Sequence, residues 1–395
     1  VARRILFVEM AYGFGGSIVS LHQLVQGLDR SAYEPVVLFY RPNAYLPRFA
    51  ALDVETIVLY PDAGERPARR DLNPGRPPSA LRRQVSTAAY IFRQVRAHTG
   101  RLQRVLRERR IELAHLNDML VGNREAIIAA QLAGVPCVSH VRAFEQLSGF
   151  DRLLMRYVDV FIYISQAIRA DHERQGAPPA RGQVIYNALD AREFALGDRA
   201  AARAAYGLRP EDQVVGITGR LVAWKGHAVF LRALARLAET HPRARGLIVG
   251  DVESTEPRYR EELEALAGEL GIRQRVIFTG HCADMPALLP ALDVLAHCSV
   301  QPEPFGRVLI EGMAAGVPVV GAADGAAPEI IADGETGLLT PPADPEALAR
   351  ALARLLDETA LAERIRAAAR RRVVEAFSID AHVRQVQAIY RRLLE

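Results

Sequence analysis

Short aliphatic and β-branched runs alternate along almost the whole chain with longer stretches whose apolar residues recur three and four apart. In the first half the runs fall at 5–9, 35–40, 54–59, 111–115, 136–141, 160–164 and 184–186. In the second half they fall at 214–218, 247–250, 276–279, 294–297 and 317–320. Between them lie amphipathic segments such as Ile18-Leu21-Val25-Leu28, a spacing that puts four apolar side chains on one helical face. Strands apolar on both faces and separated by helices predict βαβ units and a parallel sheet covered on both sides. The pattern restarts after a strand-poor, Ala- and Arg-rich stretch at 187–210, so two successive doubly wound α/β domains are the simplest account. The boundaries read as 1–187 and 188–376. A last helix over 377–395 (Ile379, Val383, Val386, Ile389, Leu393) is expected to pack back on the first domain.

A length of 395 residues suits two domains, and a hydrophobic share of 50% excludes a disordered chain. Three cysteines with no CxxC spacing argue against a disulfide framework or a cysteine zinc site and fit a reducing, cytoplasmic setting. No apolar run approaches the roughly 18–20 residues needed to cross a bilayer. No apolar leader precedes the first strand-like run. The expectation is a cytoplasmic protein, at most peripheral on the inner face of the membrane.

Charge changes the picture more than composition does. The net charge is only +4, but Lys225 is the sole lysine and every other basic residue is arginine. From Arg66 to Arg110 thirteen arginines face only Asp71 and Glu108, so one segment is strongly basic and the remainder is acidic on balance. Over 79–110 the helical period places Leu81, Val85, Phe92, Leu102 and Leu106 on one side and Arg82, Arg93, Arg96, Arg101, Arg104 and Arg107 on the other. That face fits an anionic membrane surface, at about 1 kcal/mol per basic residue near it; the competing reading is a merely solvated face. Nucleic acid is not expected, because only Tyr90 and Phe92 interleave the basic run.

Four constellations carry chemistry. In 299–320, SVQPEPFGRVLIEGMAAGVPVV, a loop ending at Pro304-Phe305-Gly306 opens a helix. The free backbone N–H groups and positive dipole end of that helix, at Phe305–Val308, make an anion site at a strand's carboxyl edge. Glu303 precedes the helix and Glu311 lies one to two turns inside it, tilted back toward its N-terminus. A carboxylate that only accepts hydrogen bonds suits a vicinal diol, as on ribose. In 216–227, GITGRLVAWKGH, Arg220 and Lys225 follow a strand end at Thr218-Gly219 and together can neutralise a diphosphate without a metal. Gly13, Gly15 and Gly16 form a first strand–turn–helix, but Ile18 stands where a dinucleotide fingerprint has its third glycine. His140 ends the run 136–141, facing the crevice where ligands bind in such sheets, with His115 a second candidate. No histidine or carboxylate spacing suggests a catalytic metal, and there is neither a GxSxG elbow nor a Walker A loop.

These residues resemble the retaining, GT-B fold, nucleotide-sugar-dependent glycosyltransferases of family 4 (glycosyltransferase group 1). The resemblance rests on Gly219-Arg220 with Lys225-Gly226 and on Glu303 with Glu311, seven residues between them. It is extended by VGD ending at Asp251, VIFTG ending at Gly280, GETGLLTPPADPEALARAL from Gly334, and the turn at Gly15-Gly16. It implies two Rossmann-like domains facing a central cleft, with no cofactor and no metal. It implies Glu311 on the ribose hydroxyls, Arg220 and Lys225 on the diphosphate of a UDP- or GDP-type donor, and Glu303 beside the donor sugar. Phe305, Gly306, Arg307 and Val308 would line the donor, with Gly219 and Gly280 at the strand ends, His140 near the reacting end of the sugar, and Gly15 and Gly16 facing the diphosphate. A glycan or lipid-linked molecule would be the acceptor, in bacterial glycan or glycoconjugate assembly. The chain departs from the family pattern at Pro304, at Asn187-Ala188-Leu189-Asp190, and in lacking a Glu after Gly15-Gly16. Two same-fold alternatives are a nucleotide-sugar 2-epimerase and a phosphorylase, the latter disfavoured by the single lysine; a polyanion-binding protein is the alternative of another class.

Overall fold

A computed structural model describes residues 2–10, 15–61, 98–195, 197–252 and 256–395. By contacts the chain divides into two compact units, Val1–Ile185 with Asp380–Glu395, and Tyr186–Ile379.

In the first unit, β1 (Arg3–Glu9), β2 (Tyr33–Phe39), β3 (Glu55–Val58), β4 (Leu113–Asn117), β5 (Cys137–Val141), β6 (Val160–Tyr163) and β7 (Gly182–Val184) form one sheet. Its order is β3-β2-β1-β4-β5-β6-β7, and every pair is parallel. The direction of winding reverses between β1 and β4, the switch point where doubly wound sheets leave a crevice beyond their strand ends. Side chains alternate across a strand, so Phe7 of β1 shares a face with its register neighbour His115 of β4; two residues on along each strand Glu9 meets Asn117, and His140 of β5 lies opposite Asn117. The helix Ile379–Leu394 supplies Val383, Val386, Ile389 and Tyr390 as its buried stripe. Tyr390 meets Phe7, Tyr33 and His115 edge-on, which places the helix over that same face. Residues 377–379, expected to travel with this helix, stay with the second unit instead. Leu189 N–H bonds Phe377 O, Ile379 N–H bonds Leu189 O, and the Phe377 ring packs on Tyr186 and Phe305.

In the second unit, β8 (Gln213–Thr218), β9 (Ala244–Val249), β10 (Val276–Gly280), β11 (Val294–His297), β12 (Val319–Ala322) and β13 (Leu338–Thr340) are ordered β10-β9-β8-β11-β12-β13. All of these pairs are parallel too, and the switch point lies between β8 and β11. The runs expected at 184–186 and 317–320 form strands two residues earlier and later respectively, at β7 and β12. Pro318 explains the second shift: it has no N–H to give a ladder, and its carbonyl instead accepts from Leu295 N. The sequence pattern does not predict β13, because three residues behind a glycine-rich turn show no periodicity; pairing with β12 makes it a strand.

Within the basic segment 79–110, residues 79–97 lie outside the described residues. From 98 to 108 the chain is helical, with Leu102 and Leu106 buried and Arg104 and Arg107 exposed. Arg101 lies over the Tyr60 ring, 4.8 Å from its centroid.

Candidate functional site

The second unit gathers its predicted residues around the switch point of β8 and β11. Beyond β8 the chain makes a single turn, Ala223–Lys225, that ends at Gly226 with φ 75°. A Cβ at Gly226 would stand 1.9 Å from the carbonyl oxygen of Cys298, so only glycine lets this turn lie against the loop after β11. Val300 N–H bonds Trp224 O at 2.8 Å and ties the same two loops together. The close approach brings Lys225 Nζ to 2.6 Å from Glu303 Oε2, and the ammonium also lies over the Trp224 ring at 4.2 Å from its centroid. Lys225 and Glu303, which the sequence presents as a phosphate cation and a separate sugar ligand, therefore form one ion pair.

Two residues that sequence reasoning does not assign complete it. Ser299 Oγ donates to Glu303 Oε2 at 2.9 Å, and His297 Nε2 lies 3.1 Å from the same oxygen. Burial alone would raise the Glu303 carboxyl, but the adjacent Lys225 charge and the His297 contact outweigh it and hold the group well below the usual carboxylate range. His297 carries the same sequence signal as His140, since each ends a strand at the carboxyl edge of its sheet. Behind Glu303, Ala326 N–H bonds its carbonyl at 2.9 Å, and a Cβ on Gly325 would collide with that carbonyl.

Gly306 begins the helix Arg307–Ala315 in the left-handed region at φ 93°, and no side chain caps the helix start. Phe305 is buried against Tyr186 and Phe377, so it anchors the loop and does not line an opening. Glu311 does reach back one turn, but to Arg307, whose Nε is 3.5 Å from its Oε1. Burial raises the Glu311 carboxyl and Arg307 works against that shift. Arg307 also donates to Ala188 O. At the neighbouring strand ends Gly219, Gly250 and Gly280 all have positive φ, and Gly250 N–H bonds Gly280 O. Arg220, next to Gly219, is exposed.

In the first unit Gly15 precedes the helix Gly16–Gln26 with extended backbone and open space where a Cβ would be; residues 11–14, with Gly13, lie outside the described residues. His140 is completely buried and belongs to a chain of polar side chains. Arg142 Nη2 and His115 Nε2 each lie 3.2 Å from its Nδ1. Arg142 Nε donates to Asn117 Oδ1 at 2.6 Å, and Asn117 Nδ2 to Glu9 Oε2 at 2.6 Å. Burial, followed by the Arg142 charge, holds both His115 and His140 well below the usual imidazole range. Among the described residues no group of three or more His, Cys, Asp or Glu is arranged to hold a metal ion.

A Glycosyl transferase 4-like domain matches residues 15–188 and a Glycosyl transferases group 1 domain matches 198–372. The D-inositol 3-phosphate glycosyltransferase of Mycobacterium avium is 32% identical over 320 residues, 80% of this chain and 73% of the relative. The chain belongs to the glycosyl transferase group 1 family. The D-inositol 3-phosphate glycosyltransferase of Mycobacterium marinum is 33% identical over 255 residues, 64% of this chain and 52% of the relative, so the chain spans about half the length of that protein. The crystal structure of Anabaena HepE in complex with UDP and glucose superposes with a TM-score of 0.80 at 25% identity, covering 99% of this chain and all of that one. Within this glycosyl transferase group 1 chain both sheets have the GT-B type of Rossmann-like topology, and the second unit holds the ion pair, the uncapped helix start and the glycine-lined strand ends on adjacent loops. Among the described residues no helix is long and apolar enough to cross a membrane.

Proposed function

We propose that this protein is a retaining glycosyltransferase of hexosyltransferase type, passing a sugar from a nucleoside diphosphate of UDP or GDP type to an acceptor hydroxyl on a glycan or lipid-linked molecule, in bacterial polysaccharide, glycolipid or other glycoconjugate synthesis. The observation that carries the reading is the Lys225–Glu303 pair beside the uncapped helix start at Gly306, at the switch point of the second sheet. An ammonium has three donors and Glu303 occupies one, so two remain for phosphate oxygens without breaking the pair. The carboxylate keeps Lys225 aimed, while Arg220 and the backbone N–H groups at 306–308 add further donors where a leaving diphosphate gains charge. Glu311 is the acceptor for ribose hydroxyls in this reading, and Gly15, Gly16 and the buried His140 are the candidate residues of the first unit. The UDP and glucose bound by HepE support a donor of this class. Neither a metal nor another cofactor is required, because fixed cations do the neutralising. The segment 79–110 is the candidate for contact with an anionic membrane from the cytoplasmic side.

Thermal-shift titration with UDP, GDP and their sugars tests the reading, since a ligand of the folded state alone raises its melting temperature. Lys225→Ala is expected to weaken donor binding about tenfold to hundredfold, the worth of roughly 1.5–3 kcal/mol for a charged hydrogen bond. A panel in which no nucleoside diphosphate stabilises the protein, or Lys225→Ala binding as the wild type does, would refute it. An axial or equatorial product matching the donor's own anomer, read by proton NMR, decides retention.

A further inference from the structure

We infer that Tyr390 of the last helix, through His115 and together with Arg142, locks His140 with its proton on Nε2, so that His140 acts as a hydrogen-bond donor and not as a base. A guanidinium has no acceptor, so where Arg142 Nη2 faces His140 Nδ1 at 3.2 Å that nitrogen must carry the lone pair. His115 Nε2 faces the same bare nitrogen at 3.2 Å and must therefore carry a proton of its own. A neutral His115 then has its lone pair on Nδ1, and there the Tyr390 hydroxyl lies 2.6 Å away as the donor. Every link points the same way, from Tyr390 to His115 to His140, and the only place left for the His140 proton is Nε2.

Two further observations fit. His140 Nε2 is buried and has no hydrogen-bond partner among the described residues, as a donor kept for something else would be. The groups packed round the two rings also oppose protonation. Burial comes first, then the Arg142 cation, and His382 stacks on His140 at 5.9 Å without supplying a negative charge. Glu9 joins this network as a carboxylate through Asn117 and Arg142. Tyr390 is thus a positioning residue, 275 positions along the chain from the His115 that its hydroxyl orients. A neutral N–H donor can hold a sugar hydroxyl or a leaving oxygen but cannot remove a proton from an acceptor. That His140 meets the transferred sugar rests on the function proposed above; the tautomer does not.

The test is imidazole nitrogen NMR on the full chain labelled with [15N]histidine, the His140 and His115 signals being assigned from His140→Gln and His115→Gln. In the wild type without ligand, His140 is expected to show a protonated Nε2 and a bare Nδ1 unchanged from about pH 6 to 8, where an ordinary imidazole titrates. In Tyr390→Phe, which keeps the buried ring, the bare His115 Nδ1 is expected to lose its donor and its signal to shift, while His115 keeps its proton on Nε2 against the His140 Nδ1 that Arg142 holds bare. In Tyr390→Phe combined with Arg142→Gln, His140 itself is expected to become mixed. A wild-type His140 protonated on Nδ1, an imidazolium at pH 6, or a His115 spectrum indifferent to Tyr390→Phe would overturn the inference. The wild-type spectrum needs no variant to fold and no donor to bind, so it decides the tautomer whether or not the proposed function holds. UDP binding by Tyr390→Phe, expected to be unchanged, shows that the lock and not the fold was disturbed.

Discussion

The two units solve the same problem, holding a histidine and its partners at the edge of a parallel sheet, in opposite ways. In the second unit the partners are charged and close in sequence: His297, Ser299 and Glu303 come from one strand end and its loop, and Lys225 from the adjacent turn. In the first they are mostly neutral, with Arg142 and Glu9 the charged members, and they come from three strands and the last helix. Ion pairs can be aimed by backbone, since a glycine that lets two loops touch delivers the charges. A tautomer is fixed by hydrogen bonds of known direction, and the chain that carries that direction from Tyr390 to His140 draws on separate elements.

Removing one charge should separate the two arrangements most. Breaking a largely buried ion pair leaves a partner uncompensated and costs about 3–5 kcal/mol, whereas deleting a neutral hydrogen bond costs about 0.5–1.5 kcal/mol. Lys225→Ala should therefore destabilise the protein several-fold more than Tyr390→Phe in urea unfolding. Adding Glu303→Gln to Lys225→Ala should restore part of the loss, because the stranded carboxylate goes with it. Additive losses, or equal costs for the two single variants, would remove the distinction.

Next in size is the backbone that aims the second unit's loops. A Cβ at Gly250 would lie 1.8 Å from the Gly219 carbonyl oxygen, while one at Gly280 would meet nothing within 4 Å, although both have positive φ. Gly280→Ala should cost only the left-handed strain of roughly 1–2 kcal/mol. Gly250→Ala adds a collision with backbone, so its melting temperature should fall further. Equal shifts would mean that dihedral strain, and not close approach, sets these loops.

Acid should act on the units at different pH. His22, His115 and His140 in the first unit and His227 in the second are all held below the ordinary value of 6.5, mainly by burial, His227 down to about 4. Their unfolded forms bind protons that the folded forms refuse, so stability falls as pH drops below about 6.5, by up to about 1.4 kcal/mol per pH unit for each histidine. Glu303 is depressed instead: its contribution is complete above its ordinary value of 4.5 and is lost only as pH falls below that toward the folded value. The first unit, which holds three of the four histidines just named, should lose hydrogen-exchange protection at the higher pH. Loss of protection by both units together, and only below pH 4.5, would contradict this. The smallest expected effect is none: sugar transfer should survive excess EDTA, because the proposed neutralising groups are side chains and backbone N–H. Abolition by chelator with rescue by Mg²⁺ or Mn²⁺ would count directly against that scheme.

The sequence alone determined the succession of strands and helices, the two-fold restart of the pattern, and most of the second unit's polar centre. Those features are local: buried parallel strands must be apolar on both faces, and Gly226, Glu303 and Gly306 stand beside the turns and the helix start that use them. Only the tertiary structure decided which of them meet. It turned Lys225 and Glu303 into one pair, gave Glu311 to Arg307, buried Phe305 as an anchor, and made a strand of Leu338–Thr340 by laying it beside β12. It alone connected Glu9, Asn117, Arg142, His140, His115 and Tyr390. No period or spacing marks that chain, because each link joins residues that are neighbours only once β1, β4 and β5 lie side by side and the last helix covers them; a hydrogen bond depends on separation in space, to which distance along the sequence is indifferent.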